Sequence, residues 1–302
     1  MKKFKMRLRL SLTLLLLVVS GLTLTLASAN TASKSQIRSE SEETLKKATP
    51  TVSPTLQLNQ QLPVNKLSTC GFNSVTMNEN NDLGKCTIMV IGDSMASNLG
   101  WGLSHVVQKS SKITLILKGK PSSGMANTWF YDWTKELPEM LENNKPDLVI
   151  VYIGANDHQN SKIEGKVESF GNSNWLLGYN NQMQDIEKLS NNAGAFVIWV
   201  ELPVMRLSGY EKGIKAVNKI QESIVTNMEG GSYIHVRNIF ADSYGKYRDF
   251  AIINGKMQKI RGDDGIHYSS LGQKVLAAYI VDQIEEILHT EIPKSGTYVV
   301  TE

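Results

Sequence analysis

Five short apolar runs, each followed by an amphipathic stretch, constrain this chain most. They are Thr87–Ile91, Ile113–Leu117, Asp147–Ile153, Ala195–Leu202 and Tyr233–Ile239. Continuous apolar runs of this length predict strands buried on both faces, and such strands belong to parallel sheets. Between and after them, Ala96–Lys109, Asp132–Asn143, Tyr179–Asn191, Glu211–Met228 and Ser270–His289 predict helices. In the last of these, Leu276, Ile280, Ile284 and Ile287 share one face. Strand and helix in alternation give a three-layer α/β/α sandwich around a central parallel sheet of about five strands. In such a sheet, chemistry is expected beyond the C-terminal strand ends, just after Ile91, Leu117, Ile153 and Leu202.

The region before the first run is of another kind. Lys2, Lys3, Lys5, Arg7 and Arg9 precede an apolar run from Leu10 to Leu26, and Ala27-Ser28-Ala29 supplies small residues for cleavage. This pattern predicts an export signal over residues 1–29; an uncleaved anchor would also export the rest of the chain. Residues 30–67, rich in Ser, Thr, Gln, Glu and Lys, read as a flexible linker. The folded domain is expected over 68–290 and a loose tail over 291–302, with Tyr298-Val299-Val300 as the part of it that could pack. The chain is then periplasmic, in the cell envelope or extracellular, touching a membrane only through its N-terminal segment. Its only cysteines, Cys70 and Cys86, form a natural pair in an oxidising compartment, a bridge that stabilises by roughly 3 kcal/mol. The net charge of +3 is concentrated in that basic N-terminus, so no basic stripe for nucleic acid is expected on the folded part.

Four blocks carry chemistry. Gly92-Asp93-Ser94 follows the first run, Ser122-Ser123-Gly124 the second, and Gly154-Ala155-Asn156-Asp157 the third; Asp264-Gly265-Ile266-His267 precedes the last helix. A serine hydroxyl is a weak nucleophile and needs a base in contact, which histidine supplies near neutral pH. A carboxylate must hold that imidazole in one tautomer. Asp264, three residues before His267 on a turn that Gly265 permits, is placed to do so. The backbone N–H of Ser94, the backbone N–H of Gly124 and the side-chain amide of Asn156 are candidates to stabilise an oxyanion. Asp93 and Asp157 read as turn-holding residues. No spacing suggests a metal site, and no cofactor is implied.

These blocks, in this order, resemble the SGNH (GDSL-type) hydrolase superfamily over roughly residues 86–288. The resemblance implies a flavodoxin-like sandwich, Ser94 as nucleophile, Asp264 and His267 as its partners, and an oxyanion hole of Ser94, Gly124 and Asn156. The second block has little sequence around it, so Gly119 is the alternative to Gly124. The name-giving tetrapeptide reads Gly-Asp-Ser-Met here. A finer similarity, carried by Trp129–Trp133 and Asp-Gly-Ile-His-Tyr-Ser, is to bacterial envelope proteins that add or remove O-acetyl groups on glycans. That implies an exported esterase acting on a small ester or an acylated glycan. Two alternatives stand beside it: an O-acyltransferase working with a partner membrane acyltransferase, and a non-catalytic glycan-binding factor. The aromatic stretch itself reads either as packing or as a sugar-stacking wall. His158 is a minor candidate for the cleft, and Arg261-Gly262-Asp263 is read as a chance adhesion tripeptide.

Overall fold

The computed structural model describes residues 86–109, 112–163, 165–228, 231–289 and 291–301. The export signal, the linker and Cys70 lie outside the described residues. Cys86 is buried at the head of the first strand.

Along the chain run β1 (Cys86–Gly92), α1 (Ser94–Val106), β2 (Ile113–Gly119), α2 (Trp133–Asn144), β3 (Leu148–Tyr152), β4 (Ser161–Ile163), β5 (Lys166–Glu168), α3 (Ser173–Asn192), β6 (Phe196–Val200) and α4 (Ser208–Thr226). They are followed by β7 (Gly231–Ile234), α5 (Arg237–Phe240), β8 (Phe250–Ile253), β9 (Lys256–Lys259), α6 (Ser270–Leu288) and β10 (Val300–Thr301). The central sheet has five parallel strands in the order β2-β1-β3-β6-β7. The three-layer sandwich expected from the periodicity is the fold observed.

Alternation along β1 sorts the two cores. Ile88 and Val90 point to the face covered by α1 and α6, where Leu99, Leu103, Val275, Leu276 and Ile280 are buried. Met89 and Ile91 point to the other face, against Trp133 and Leu137 of α2 and Trp175, Met183 and Ile186 of α3. Every residue of β3 and β6 is buried, which explains why their sequences carry no polar alternation.

Several elements depart from the expected pattern. The third helix starts at Ser173 under an Asn172 cap rather than at Tyr179. Gly178 inside it disguises the periodicity; a Cβ there would lie 2.4 Å from Ile163 of the β4–β5 hairpin, which packs on that spot. The fifth strand ends at Ile234 rather than Ile239. Glu201 Oε2 accepts from the amides of Val236 and Arg237 at 3.0 and 3.1 Å and turns the chain into α5. The C-terminal segment is not a loose tail. Gln108 N donates to Pro293 O and Ser295 N to Val106 O, while Val300 and Thr301 pair antiparallel with β8. Apolar burial of Ile292 and partial burial of Val300 accompany that docking.

Candidate active site

The order β2-β1-β3 reverses the direction of winding at β1, so loops leaving β1 and β3 diverge and open a crevice. Gly92 closes the gap beneath it. Its φ is +134°, and a Cβ there would lie 2.1 Å from Tyr152 O at the end of β3. Asp93, fully buried, spans the two loops. Oδ1 caps α1 by accepting from Met95 N at 2.8 Å, while Oδ2 accepts from Gly154 N and Ala155 N at 3.0 and 2.9 Å. Burial pushes this carboxyl up to about 7, against the pull of those amides. One side chain thus sets both the nucleophile turn and the turn that carries Asn156.

Ser94 is the first residue of α1, where unpaired N–H groups and the helix dipole favour negative charge. His267 Nε2 lies 2.7 Å from Ser94 Oγ, and His267 Nδ1 lies 2.6 Å from Asp264 Oδ2. An ionised carboxylate only accepts, so Nδ1 carries the proton and Nε2 is free to take one from serine. Asp264 Oδ1 also accepts from the amides of Ile266 and His267 at 2.8 and 2.9 Å. Partial burial pulls its pKa up, but the imidazole and the two amides outweigh it and hold the carboxyl at about 2. Gly265 makes the turn at φ +73°, with Arg206 Cβ 2.5 Å from where its own Cβ would stand.

The second block folds against the third. Asn156 Nδ2 donates to Ser123 O at 2.8 Å, which brings the Ser123–Gly124 peptide beside the Asn156 amide and leaves that amide a second hydrogen to offer. Asp157, fully buried and pushed up to about 6 by burial, accepts from Ala126 N at 3.0 Å and from the Tyr179 hydroxyl at 2.9 Å. Gln221 Nε2 holds that hydroxyl in turn at 2.9 Å. A Cβ on Gly124 would lie 2.2 Å from Asp157 Oδ1, so only glycine fits. Gly119, the alternative, instead packs on α1, with Ser97 Oγ 2.4 Å from its absent Cβ. Ser122, just ahead, sits at φ 66°, a left-handed conformation that costs a serine about 1 kcal/mol.

Sequence reading missed the groups that fasten the histidine loop. Arg261 is completely buried. Its Nη1 donates to Val204 O at 2.6 Å, its Nη2 to Ile266 O at 2.8 Å and its Nε to His267 O at 3.3 Å. Tyr247 and Tyr268 stack on the guanidinium at 4.8 and 5.2 Å. An interior arginine cannot act as an adhesion motif. Asn98 Oδ1, one turn beyond the nucleophile, accepts from Tyr268 N at 3.0 Å. No short motif marks either residue, because their partners are backbone atoms distant in sequence.

The other histidines stand apart. His158 packs on Gly213 and Tyr210 of α4, and burial lowers its pKa. His105 stacks on Trp101 at 3.8 Å, and His235 faces Glu201 and Glu222. Among the described residues no group of three or more His, Cys, Asp or Glu is gathered for a metal.

Fold and site together define a doubly wound α/β protein with a serine–histidine–aspartate relay at the switch point of its sheet. The chain belongs to the family described as "Protein of unknown function (DUF459)", whose signature it matches over residues 87–283. No curated protein matches it in sequence. Similar solved structures include a psychrotrophic esterase, EstA, from Pseudoalteromonas sp. (16% identity, 68% of this chain and 99% of that one, TM-score 0.45). Others are a carbohydrate esterase family 3 protein from Talaromyces cellulolyticus (16%, 68% and 98%, 0.44) and a GDSL-like lipase from Bacteroides thetaiotaomicron VPI-5482 (15%, 67% and 88%, 0.45). Function is therefore read from the site's own geometry.

Proposed function

We propose that this chain is an exported serine esterase that removes short acyl groups, O-acetyl on envelope carbohydrate in particular, through an acyl-Ser94 intermediate. The observation that carries the reading is the unbroken contact Asp264–His267–Ser94, at 2.6 and 2.7 Å. Ser94 Oγ attacks the ester carbonyl carbon as its proton passes to His267 Nε2. The carbonyl oxygen, now negative, takes hydrogen bonds from Ser94 N–H, Gly124 N–H and the free hydrogen of Asn156. Collapse breaks the bond to the alcohol oxygen, which leaves with the proton from His267. Water then gives a proton to His267 and attacks the acyl carbon. Expulsion of Ser94 Oγ, which recovers its proton, releases the carboxylic acid.

The same residues would serve an acyltransferase if a sugar hydroxyl replaced water. Exposure favours water: the side chains of His267 and Asp264 keep 34% and 47% of their surface open, whereas transfer requires water to be held off the acyl-enzyme. A non-catalytic glycan binder would have no use for a base in contact with a serine. Export through the N-terminal segment and the Cys70–Cys86 bridge belong to this proposal.

Turnover of p-nitrophenyl acetate by the wild type beside Ser94→Ala tests it. Hydrolysis that falls to background in the variant is expected. An inert wild type that also fails to take up a fluorophosphonate probe would overturn the reading.

A further inference from the structure

The aromatic stretch after the second block divides in the structure. Trp133 is core, its ring N–H donating to Ser123 Oγ at 3.1 Å, and Tyr131 packs edge-on to it at 4.8 Å. Trp129 and Phe130 instead stand in solvent, 78% and 44% exposed, with their rings edge to face at 6.1 Å. Exposure of that much aromatic surface is costly unless something covers it.

The segment that carries them is held firmly. Phe130 N donates to Asn127 O at 2.9 Å and Asn127 Nδ2 to Ser122 O at 3.0 Å, while Asp157 fixes Ala126. Lys120 lies alongside, its ammonium 5.9 Å from the Phe130 ring and 5.5 Å from Tyr131. Among the described residues it has no carboxylate partner. Its backbone N–H donates to Gly92 O at 2.7 Å and its carbonyl accepts from Ser123 N at 3.1 Å. Lys120 therefore joins the nucleophile turn to the glycine loop, and its ammonium links the Phe130 ring, with Trp129 beside it, to that junction.

We propose that Trp129, Phe130 and Lys120 form a subsite for a sugar residue that carries an anionic group, adjoining the ester to be cleaved. This rests on the carbohydrate-ester reading above. The C–H face of a pyranose is electropositive and stacks on the negative face of an aromatic ring. Its carboxylate would pair with the ammonium of Lys120, which has ring faces but no carboxylate beside it among the described residues and which a neutral sugar leaves unused. A rigid aromatic platform suits such a ligand because little entropy is lost in binding.

Affinity electrophoresis of the full chain in gels containing alginate, a polyuronate, or dextran, a neutral glucan, tests the subsite without reference to catalysis. Retardation by alginate exceeding that by dextran is expected, about tenfold weaker in Trp129→Ala and losing its salt dependence in Lys120→Met. Trp129 is exposed, so its variant should melt with the wild type, and that check keeps misfolding out of the result. Equal retardation of wild type and Trp129→Ala, equal retardation by both polymers, or none at all would overturn the proposal. So would Trp129-dependent co-sedimentation with phosphatidylglycerol vesicles, which would identify a membrane surface instead. If alginate binding behaves as expected in a protein that hydrolyses no ester, the subsite stands and the esterase reading alone falls.

Discussion

Replacing Arg261 with methionine should loosen the catalytic loop while leaving the nucleophile itself in place. The wild-type guanidinium lies in the interior with no carboxylate partner among the described residues, and three carbonyl oxygens and two tyrosine rings neutralise it instead. Methionine fills much of the volume but donates nothing. Two short bonds, to Val204 O and Ile266 O, are lost, and hydrogen bonds to a charged group contribute about 1.5–3 kcal/mol each. That figure is already net of desolvation, and the lower bound for the two bonds applies to a residue whose burial as a cation is itself costly. A net cost of about 3 kcal/mol results, which for a domain of this size lowers the melting temperature by roughly 6–12 °C. The kinetic effect is separable. His267 O and Ile266 O both lose their anchor, and a displacement of about 1 Å at the base costs on the order of a hundredfold in rate. At 20 °C, where the variant remains folded by circular dichroism, kcat for p-nitrophenyl acetate should fall while KM stays near wild type. Arg261→Lys should recover part of both losses, because one ammonium cannot reach three carbonyls in a fixed fork. Wild-type melting together with wild-type kcat in Arg261→Met would refute the assignment of Arg261 as the residue that positions the base.

Two further substitutions test the site. Asn156→Ala removes one oxyanion donor and the tie to Ser123 O, so kcat should drop by about a hundred- to a thousandfold in steady-state assays with little change in melting. A drop below threefold would remove Asn156 from the oxyanion hole. Asp264→Asn offers an amide N–H to Nδ1, selects the wrong tautomer and should lower kcat by roughly 10⁴. The same carboxyl is held at about 2, below its unfolded value of 3.8. A depressed acid stabilises the fold above the unfolded value, and that contribution is lost as pH falls through the folded one. The stability advantage of wild type over Asp264→Asn should therefore be full above about pH 4 and vanish near pH 2 in chemical denaturation; an advantage unchanged across that window would contradict the pairing.

Much of this architecture was legible in advance because burial writes itself into composition. A strand covered on both faces must be apolar at every position, and Leu148–Tyr152 is. The relay was legible for a related reason: its aspartate and histidine are three residues apart, and its serine follows a strand end. The features that escaped notice have no local mark. The β4–β5 hairpin is short and polar, β8 and β9 are only four residues each, and the packing expected of Val300 takes the form of a strand only because β8 leaves an edge for it. The turns of α3 ahead of Tyr179 include Gly178, whose place in a helix is explained only by Ile163 resting on it. Arg261 draws attention only as part of a chance tripeptide, because its partners are carbonyls of Val204, Ile266 and His267, which every sequence possesses.

Asp93 shows why fold and site cannot be varied separately here. A serine or asparagine at its position could still cap α1 through one oxygen. Neither could also accept from Gly154 N and Ala155 N, since a second acceptor oxygen is needed on the same side chain. Loss of that second oxygen would leave two buried amides without partners and release the β3 turn that aims Asn156. Gly92 imposes the complementary condition, because any side chain there meets Tyr152 O and pushes β1 and β3 apart. The crevice therefore depends on a residue with no side chain followed by one with two acceptor oxygens, and the nucleophile can only come next. Met95 bears no such demand: it is simply a buried apolar residue on the inner face of α1, so the fourth letter of the tetrapeptide is free to change while the first three are not.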